Sequence, residues 1–244
     1  MASDTGDELE RIVAAYRQRD SVPAMGGTLR HADPAYVSHL HELEWQVVVA
    51  LQASGVVLEE SRLLDTGTGS GAFLQRLRQL GARHPVGIEL VPERVEQAHR
   101  DYPELDVRCS SATGIPFDDD TFDVVTHFMC LSSVLDAGTR REIAAEMWRV
   151  LAPGGVVLSY DLRPSPRVLR AGRRLLGPGD SRTPVKPLAL ADLELLWGRP
   201  ERVRSVQLNL DLARLVGGRR AIVAALRACP PLRSHLLAMF RKPA

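Results

Sequence analysis

Cysteine is scarce in this chain, which narrows the kinds of site that need to be considered. The 244 residues include three cysteines, Cys109, Cys130 and Cys229, with no C-x-x-C pair and no histidines at metal-ligand spacing. This pattern argues against a disulfide framework and against zinc, so we predict no metal site. A reducing compartment suits such a chain, and we predict a cytoplasmic location.

Long apolar runs are also missing. Residues 1–8 are acidic and lack the apolar segment of a secretion signal. No stretch approaches the roughly 20 apolar residues that a membrane-spanning helix requires. We therefore expect no cleaved signal and no association with a membrane.

The composition is that of a globular domain, with 45% hydrophobic and 25% charged residues. A chain of this length can bury its core in one unit, and we predict a single domain over 1–244. The net charge is +1, yet residues 1–160 carry ten more acidic than basic residues and residues 161–244 carry eleven more basic than acidic ones. Either the basic part meets an anionic partner or it packs against the acidic part.

A glycine-rich turn stands out at residues 63–73, where Leu-Leu-Asp-Thr-Gly-Thr-Gly-Ser-Gly-Ala-Phe runs from an apolar strand into a helix. Glycines at such a turn let the backbone come close to a ligand, toward which the helix then directs its free N–H groups. The next predicted strand, 85–90, carries Glu89 near its end, eighteen residues after Gly71. A carboxylate there can accept both hydroxyls of a ribose. Dinucleotides and S-adenosylmethionine (SAM) both fit this geometry.

Strand and helix patterns alternate through most of the chain, which predicts a parallel sheet covered by helices. An arginine-rich helix is predicted near 167–174. The predicted strands are 62–66, 85–90, 105–109, 122–127, 156–160, 203–210 and 235–241, and the other predicted helices are 8–20, 34–53, 71–80, 93–100, 141–151, 189–197 and 221–228.

Three separated motifs favour SAM over a dinucleotide. They are Asp65-x-Gly67-x-Gly69-x-Gly71, then Ser111 to Phe117 followed by Phe122-Asp123-Val124-Val125, and finally Met147 to Gly155 with its Pro-Gly-Gly turn. In this order they resemble the motifs of the class I SAM-dependent methyltransferases of small-molecule type. Two positions depart from that family's usual residues: Thr68 replaces a cysteine, and Ser111 replaces an aspartate that contacts adenine.

The resemblance implies an α/β fold, Rossmann-like and doubly wound, with a mostly parallel seven-stranded sheet, an antiparallel last strand and a helical cap. Residues 1–55 would supply N-terminal cap helices, 61–161 the cofactor-binding core and 164–230 cap and acceptor elements. SAM would be the cofactor. We predict that it contacts the residues Tyr16, Asp65, Thr66, Gly67, Thr68, Gly69, Gly71, Glu89, Leu90, Ser111, Ala112 and Phe128.

The predicted activity is transfer of a methyl group to an O, N or C atom of a small molecule in a biosynthetic pathway. His127, at the end of the fourth strand, is the candidate general base, although a histidine there can simply bond a loop carbonyl. An anionic acceptor and a homodimer stay open, and we expect no nucleic-acid partner. The alternatives are a tRNA or rRNA methyltransferase that uses the arginine-rich C-terminal part, or an idle SAM-fold binding protein.

Overall fold

A computed structural model describes residues 5–21, 33–164, 183–216 and 219–244. The predicted arginine-rich helix, with Arg167, Arg170, Arg173 and Arg174, lies outside these ranges. Among the described residues, no helix is long and apolar enough to cross a bilayer.

The described residues form one seven-stranded sheet in the order β3-β2-β1-β4-β5-β7-β6. Strands β1 to β5 pair in parallel, and β7 runs antiparallel to both of its neighbours, β5 and β6. The predicted fold class is therefore confirmed. The strands are β1 Leu63–Thr66, β2 Val86–Glu89, β3 Asp106–Cys109, β4 Phe122–Phe128, β5 Leu151–Leu162, β6 Arg202–Leu208 and β7 Arg233–Arg241.

Helices cover both faces of this sheet. Their ends follow local capping signals, as in α2, where the Asp33 side chain accepts a bond from the Ala35 N–H at 2.9 Å and Pro34 occupies the first turn. The helices are α1 Thr5–Ser21, α2 Pro34–Ser54, α3 Ala72–Gln79, α4 Pro92–Asp101, α5 Ala137–Val150, α6 Leu190–Trp197, α7 Leu210–Leu215 and α8 Arg220–Arg227.

Several element boundaries differ from the prediction, and three of the differences have a clear local reason. Helix α5 begins at Ala137 instead of 141, because Asp136 caps it by accepting the Thr139 N–H at 2.7 Å. Strand β5 extends to Leu162 because it pairs with β7 as far as His235. Strand β6 ends at Leu208 instead of 210, because Asn209 accepts backbone bonds that start the unpredicted helix α7.

The core has two layers, since alternate residues of β4 enter opposite faces of the sheet. Val125 joins the layer under α5 and α6, where Met147 is fully buried as its helical spacing predicts. Val124 joins the layer under α2, α3 and α4. The two layers hold the strands in register and so bring the carboxyl ends of β1, β2 and β4 to one edge.

Candidate functional site

The glycine turn after β1 is fastened to β2 by backbone bonds. The N–H groups of Gly67 and Thr68 donate to the Ile88 carbonyl at 2.9 and 3.0 Å. Gly67 has φ +71°, and a Cβ there would lie 2.8 Å from Sγ and 3.1 Å from Cβ of Cys130. The turn therefore lies against the loop that follows β4, and glycine is required for both conformation and space.

Glu89 ends β2 with its carboxylate held in place. One oxygen accepts the Gly69 N–H and the other accepts the Val91 N–H, each at 2.9 Å. The side chain is buried, with 6% of its surface exposed. Because a carboxylate oxygen can accept more than one bond, both oxygens retain the capacity to bind a ligand hydroxyl.

A cavity of about 500 Å³ opens at this edge of the sheet. This volume lies within the range of about 300–1,000 Å³ that is usual for small-molecule sites. Eight of the twelve predicted cofactor contacts border it, namely Tyr16, Gly67, Thr68, Gly69, Glu89, Leu90, Ala112 and Phe128.

The other four predicted contacts do not border the cavity. Asp65 is buried and accepts the Thr126 hydroxyl at 2.7 Å, and burial raises the pKa of its carboxyl to about 6. Thr66 is fully buried beside it in β1. In this structure Asp65 is thus bonded inside the sheet, and its contact with the cofactor stays a prediction.

Gly71 and Ser111 are displaced from the cavity for different reasons. A Cβ on Gly71 would lie 3.3 Å from the Ala98 Cβ, so this glycine lets α3 pack on α4. The Ser111 hydroxyl bonds the Thr113 hydroxyl at 2.8 Å, and Ser110 borders the cavity in its place.

His127 does not border the cavity. Its side chain is fully buried on the α6 side of β4, with its ring centroid 6.0 Å from that of Trp197. Its Nδ1 lies 3.8 Å from an Asp161 oxygen, outside hydrogen-bond range. Burial lowers the pKa of His127 to about 3. The alternation of β4 turns the His127 side chain inward, and its role as a base stays a prediction.

Helix α1 forms a second wall of the cavity. The Tyr16 hydroxyl bonds the Ser133 hydroxyl at 2.7 Å, and its ring lies 4.2 Å from the Arg94 guanidinium. Arg94 in turn bonds Asp20 at 2.8 Å. Of Tyr16, Ser133, Arg94 and Asp20, the sequence had indicated Tyr16 alone. For Ser133, the sequence offered one signal, its position in the loop after β4. Its contact with α1, which identifies it as part of this wall, is seen only in the structure.

Two ionisable groups that border the cavity are held in their neutral forms. Burial raises the pKa of the Tyr16 phenol. Burial also raises the pKa of the Cys130 thiol, and the nearby Asp161 and Glu89 charges add to the shift. Neither group is therefore ready to act as an anionic base or nucleophile at neutral pH.

Apolar side chains line much of the cavity. The Phe128 ring packs on Phe73 with centroids 3.9 Å apart. The remaining apolar wall comes from Leu9, Ile12, Ile88, Leu90, Met129, Val134 and Ile143. The site thus combines one fixed carboxylate, close backbone approach and an apolar lining, which suits a ligand with a ribose and a flat ring.

Comparison with known proteins gives one family and several relatives. A family model described as a methyltransferase domain matches residues 64–159. The erythromycin 3''-O-methyltransferase of Saccharopolyspora erythraea is 34% identical over 134 residues, which are 51% of this chain and 42% of that protein. A demethylmenaquinone methyltransferase of Chlorobaculum tepidum is 29% identical over 126 residues, which are 49% of this chain and 51% of the relative.

The match therefore spans about half the length of these curated relatives. Among solved structures, a SAM-dependent methyltransferase of Mesorhizobium loti superposes with a TM-score of 0.57 at 17% identity, covering 80% of this chain and 96% of that one. At that identity the likeness establishes the fold.

Proposed function

Because the chain carries a class I SAM-dependent methyltransferase domain, with SAM as its cofactor, we propose that it methylates an O, N or C atom of a small-molecule acceptor. The observation that carries the proposal is the fixed Glu89 carboxylate at the edge of the cavity. A carboxylate held by two N–H groups is suited to accept the hydroxyls of a ribose.

The residues around Glu89 fit the rest of the cofactor. The turn at Gly67 to Gly69 lets the ligand approach the backbone, and Leu90 and Ala112 offer apolar surface to a flat ring. When bound, SAM supplies a methyl group on a positively charged sulfur, so the protein needs no covalent nucleophile. The chain's own contribution is to orient the reactants and exclude water.

The lining also bears on the acceptor. The raised pKa values of Tyr16 and Cys130 leave both groups protonated. Asp20, at the cavity rim, is bonded to Arg94. Such a lining favours an acceptor that loses its proton with little help, such as an amine near neutrality, a carboxylate or an acidic carbon.

The proposed biosynthetic role draws support from relatives whose names give small-molecule products or substrates, erythromycin and demethylmenaquinone. The rRNA or tRNA alternative rests on arginines around 163–174, most of which lie outside the described residues. A cytoplasmic location is proposed from three cysteines that stand as free thiols.

The test begins with calorimetry. We expect SAM and S-adenosylhomocysteine to bind and NADH not to bind; NADH binding without SAM binding would overturn the proposal. Incubation with SAM carrying an isotopically labelled methyl group then follows, with a small-molecule extract in one arm and total tRNA in the other. Label in the small-molecule arm supports the proposal, label in tRNA favours the alternative, and no S-adenosylhomocysteine formation in either arm favours an idle binding protein.

A further inference from the structure

Helix α1 carries an acidic side chain that points toward the protein interior. Glu8 has 5% of its surface exposed, although it lies in a helix that is otherwise mostly in contact with solvent. It accepts the N–H groups of Leu135 and Asp136, the latter at 3.3 Å. These two residues directly precede α5, where free N–H groups favour a negative charge.

Arg11, one turn further along α1, makes a two-pronged bond to Glu8. Its Nε and Nη2 donate to the two Glu8 oxygens at 2.7 and 2.9 Å. The same Nη2 also donates to the Ser133 carbonyl at 2.7 Å. Burial alone would raise the pKa of Glu8, but the bonds from Arg11, Leu135 and Asp136 lower it below its ordinary value. The carboxylate is therefore ionised at neutral pH.

These contacts lead directly to the cavity. Ser133, whose carbonyl is held by Arg11, presents its hydroxyl to the hydroxyl of Tyr16 at 2.7 Å. Both residues border the cavity. One continuous network thus joins the start of α5, the loop after β4 and the cavity-facing side of α1.

A second ion pair on the same helix shows what the first one adds. Arg17 bonds Glu93 at 2.8 Å, but each side chain is 54% exposed. Exposed pairs of this kind contribute little, whereas a buried carboxylate leaves several donors unsatisfied when its charge is removed. The two pairs differ in burial and in their link to Ser133.

We propose that Glu8 and Arg11 are positioning residues that set the Tyr16–Ser133 hydroxyl bridge at the border of the cavity and so retain the bound cofactor. This inference rests on the proposed function, because the cofactor is the ligand being retained. Glu8 and Arg11 act through Tyr16 and Ser133 without touching the ligand themselves.

The test is a double-mutant cycle read by S-adenosylhomocysteine affinity. We expect Glu8→Gln to raise the dissociation constant roughly ten-fold, by loosening a network of charge-assisted bonds. Tyr16→Phe should raise it several-fold in the otherwise unchanged chain, but by less than two-fold in the Glu8→Gln background. Such non-additivity is the signature of residues that act through one another. Arg17→Ala is the matched control and should leave the constant unchanged.

Other outcomes overturn the inference. Additive costs of Glu8→Gln and Tyr16→Phe, or an unchanged constant in Glu8→Gln, would show that the pair does not act through the bridge. Should Glu8→Gln fail to unfold cooperatively, Arg11→Lys replaces it in the same cycle, because lysine keeps the charge and loses the fork that reaches Ser133.

A second readout separates this inference from the proposed function. Amide hydrogen exchange at Leu135 and Asp136 needs no ligand, and Glu8→Gln should accelerate it while Arg17→Ala should not. If the unchanged chain binds no S-adenosylhomocysteine, the proposed function fails, and exchange alone then decides whether Glu8 holds the loop. Unchanged exchange in Glu8→Gln would overturn the positioning role itself.

Discussion

The two walls of the cavity are built in different ways. On the side of β1 and β2, the glycine turn and Glu89 are close in sequence and are fixed mainly by backbone bonds. On the side of α1, the Tyr16–Ser133 bond joins residues separated by 117 positions and depends on side chains alone. The first wall is rigid because its own chain conformation defines it, whereas the second exists only after distant elements have packed.

This comparison predicts that changes in the first wall weaken cofactor binding most. Gly67→Ala should have the largest effect, because its Cβ would meet Cys130 at 2.8 Å in a left-handed conformation. We expect S-adenosylhomocysteine affinity to fall on the order of 100-fold, equivalent to about 2.8 kcal/mol, because the turn must move away from Cys130 and so loses its close approach to the ligand.

Gly55→Ala is the matched control for backbone strain. Gly55 has φ +76° at the end of α2, but a Cβ there would have no atom within 4 Å. Both variants should lose roughly 1–3 kcal/mol of stability from the left-handed conformation, measured by denaturant unfolding. Only Gly67→Ala should lose affinity; equal affinities would show that the turn does not border the ligand.

Glu89→Ala should have the next largest effect. It removes charge-assisted bonds worth about 1.5–3 kcal/mol, so calorimetry should show affinity about ten- to a hundred-fold weaker. Glu93→Ala, on the nearby exposed surface of α4, serves as the control. A dissociation constant that stays the same in Glu89→Ala would remove this residue from the site.

Tyr16→Phe tests the second wall and should have a smaller effect. It removes one hydroxyl bond between neutral groups, worth about 0.5–1.5 kcal/mol, so affinity should fall about two- to ten-fold. The Arg94 guanidinium can still lie over the ring. A loss beyond that of Glu89→Ala would reverse the ranking of the two walls.

His127→Phe should have the smallest effect on binding and rate, since His127 does not border the cavity. We expect kcat to change less than about three-fold, whereas a general base would cost about 10²–10⁴-fold. A drop of that size in a variant that still folds and binds S-adenosylhomocysteine would restore the base role.

The same variant makes a prediction for stability against pH. The folded-state pKa of His127 is lowered to about 3, so below its ordinary value of 6.5 the unfolded chain takes up a proton that the folded chain does not. Stability is therefore lost as pH falls through this window. Between pH 7 and pH 5, the free energy of unfolding should fall by about 1–2 kcal/mol less in His127→Phe than in the unchanged chain. Denaturant unfolding at the two pH values measures this difference.

The comparison also explains what the sequence could predict. The turn at Gly67 and the acid at Glu89 lie on consecutive strand ends, so a local pattern is enough to bring them together. The burial of His127 was missed because a strand alternates its faces, and sequence alone did not establish which face of β4 meets the ligand. The bond between Asp65 and Thr126 was also missed, because it joins neighbouring strands whose residues are 61 positions apart in the chain.

The partners of α1 could not be predicted at all. Nothing in the local pattern of Glu8 distinguishes it from a solvent-exposed acid on a helix. Its burial follows from N–H groups at Leu135 and Asp136, more than 120 residues away. Such contacts depend on tertiary packing. The periodicity of hydrophobic residues predicts local secondary structure and gives no information about these contacts.

The position of β7 also constrains the order in which the sheet can be assembled. Strand β7 follows β6 in the chain but lies between β6 and β5. Strand β6 can therefore join the sheet only through its pairing with β7. The edge of β5 that β7 will cover stays unpaired during synthesis up to Arg233. An unpaired edge is a template for aggregation. A chain interrupted within β7 would be expected to leave that edge exposed and to depend on chaperones for its solubility.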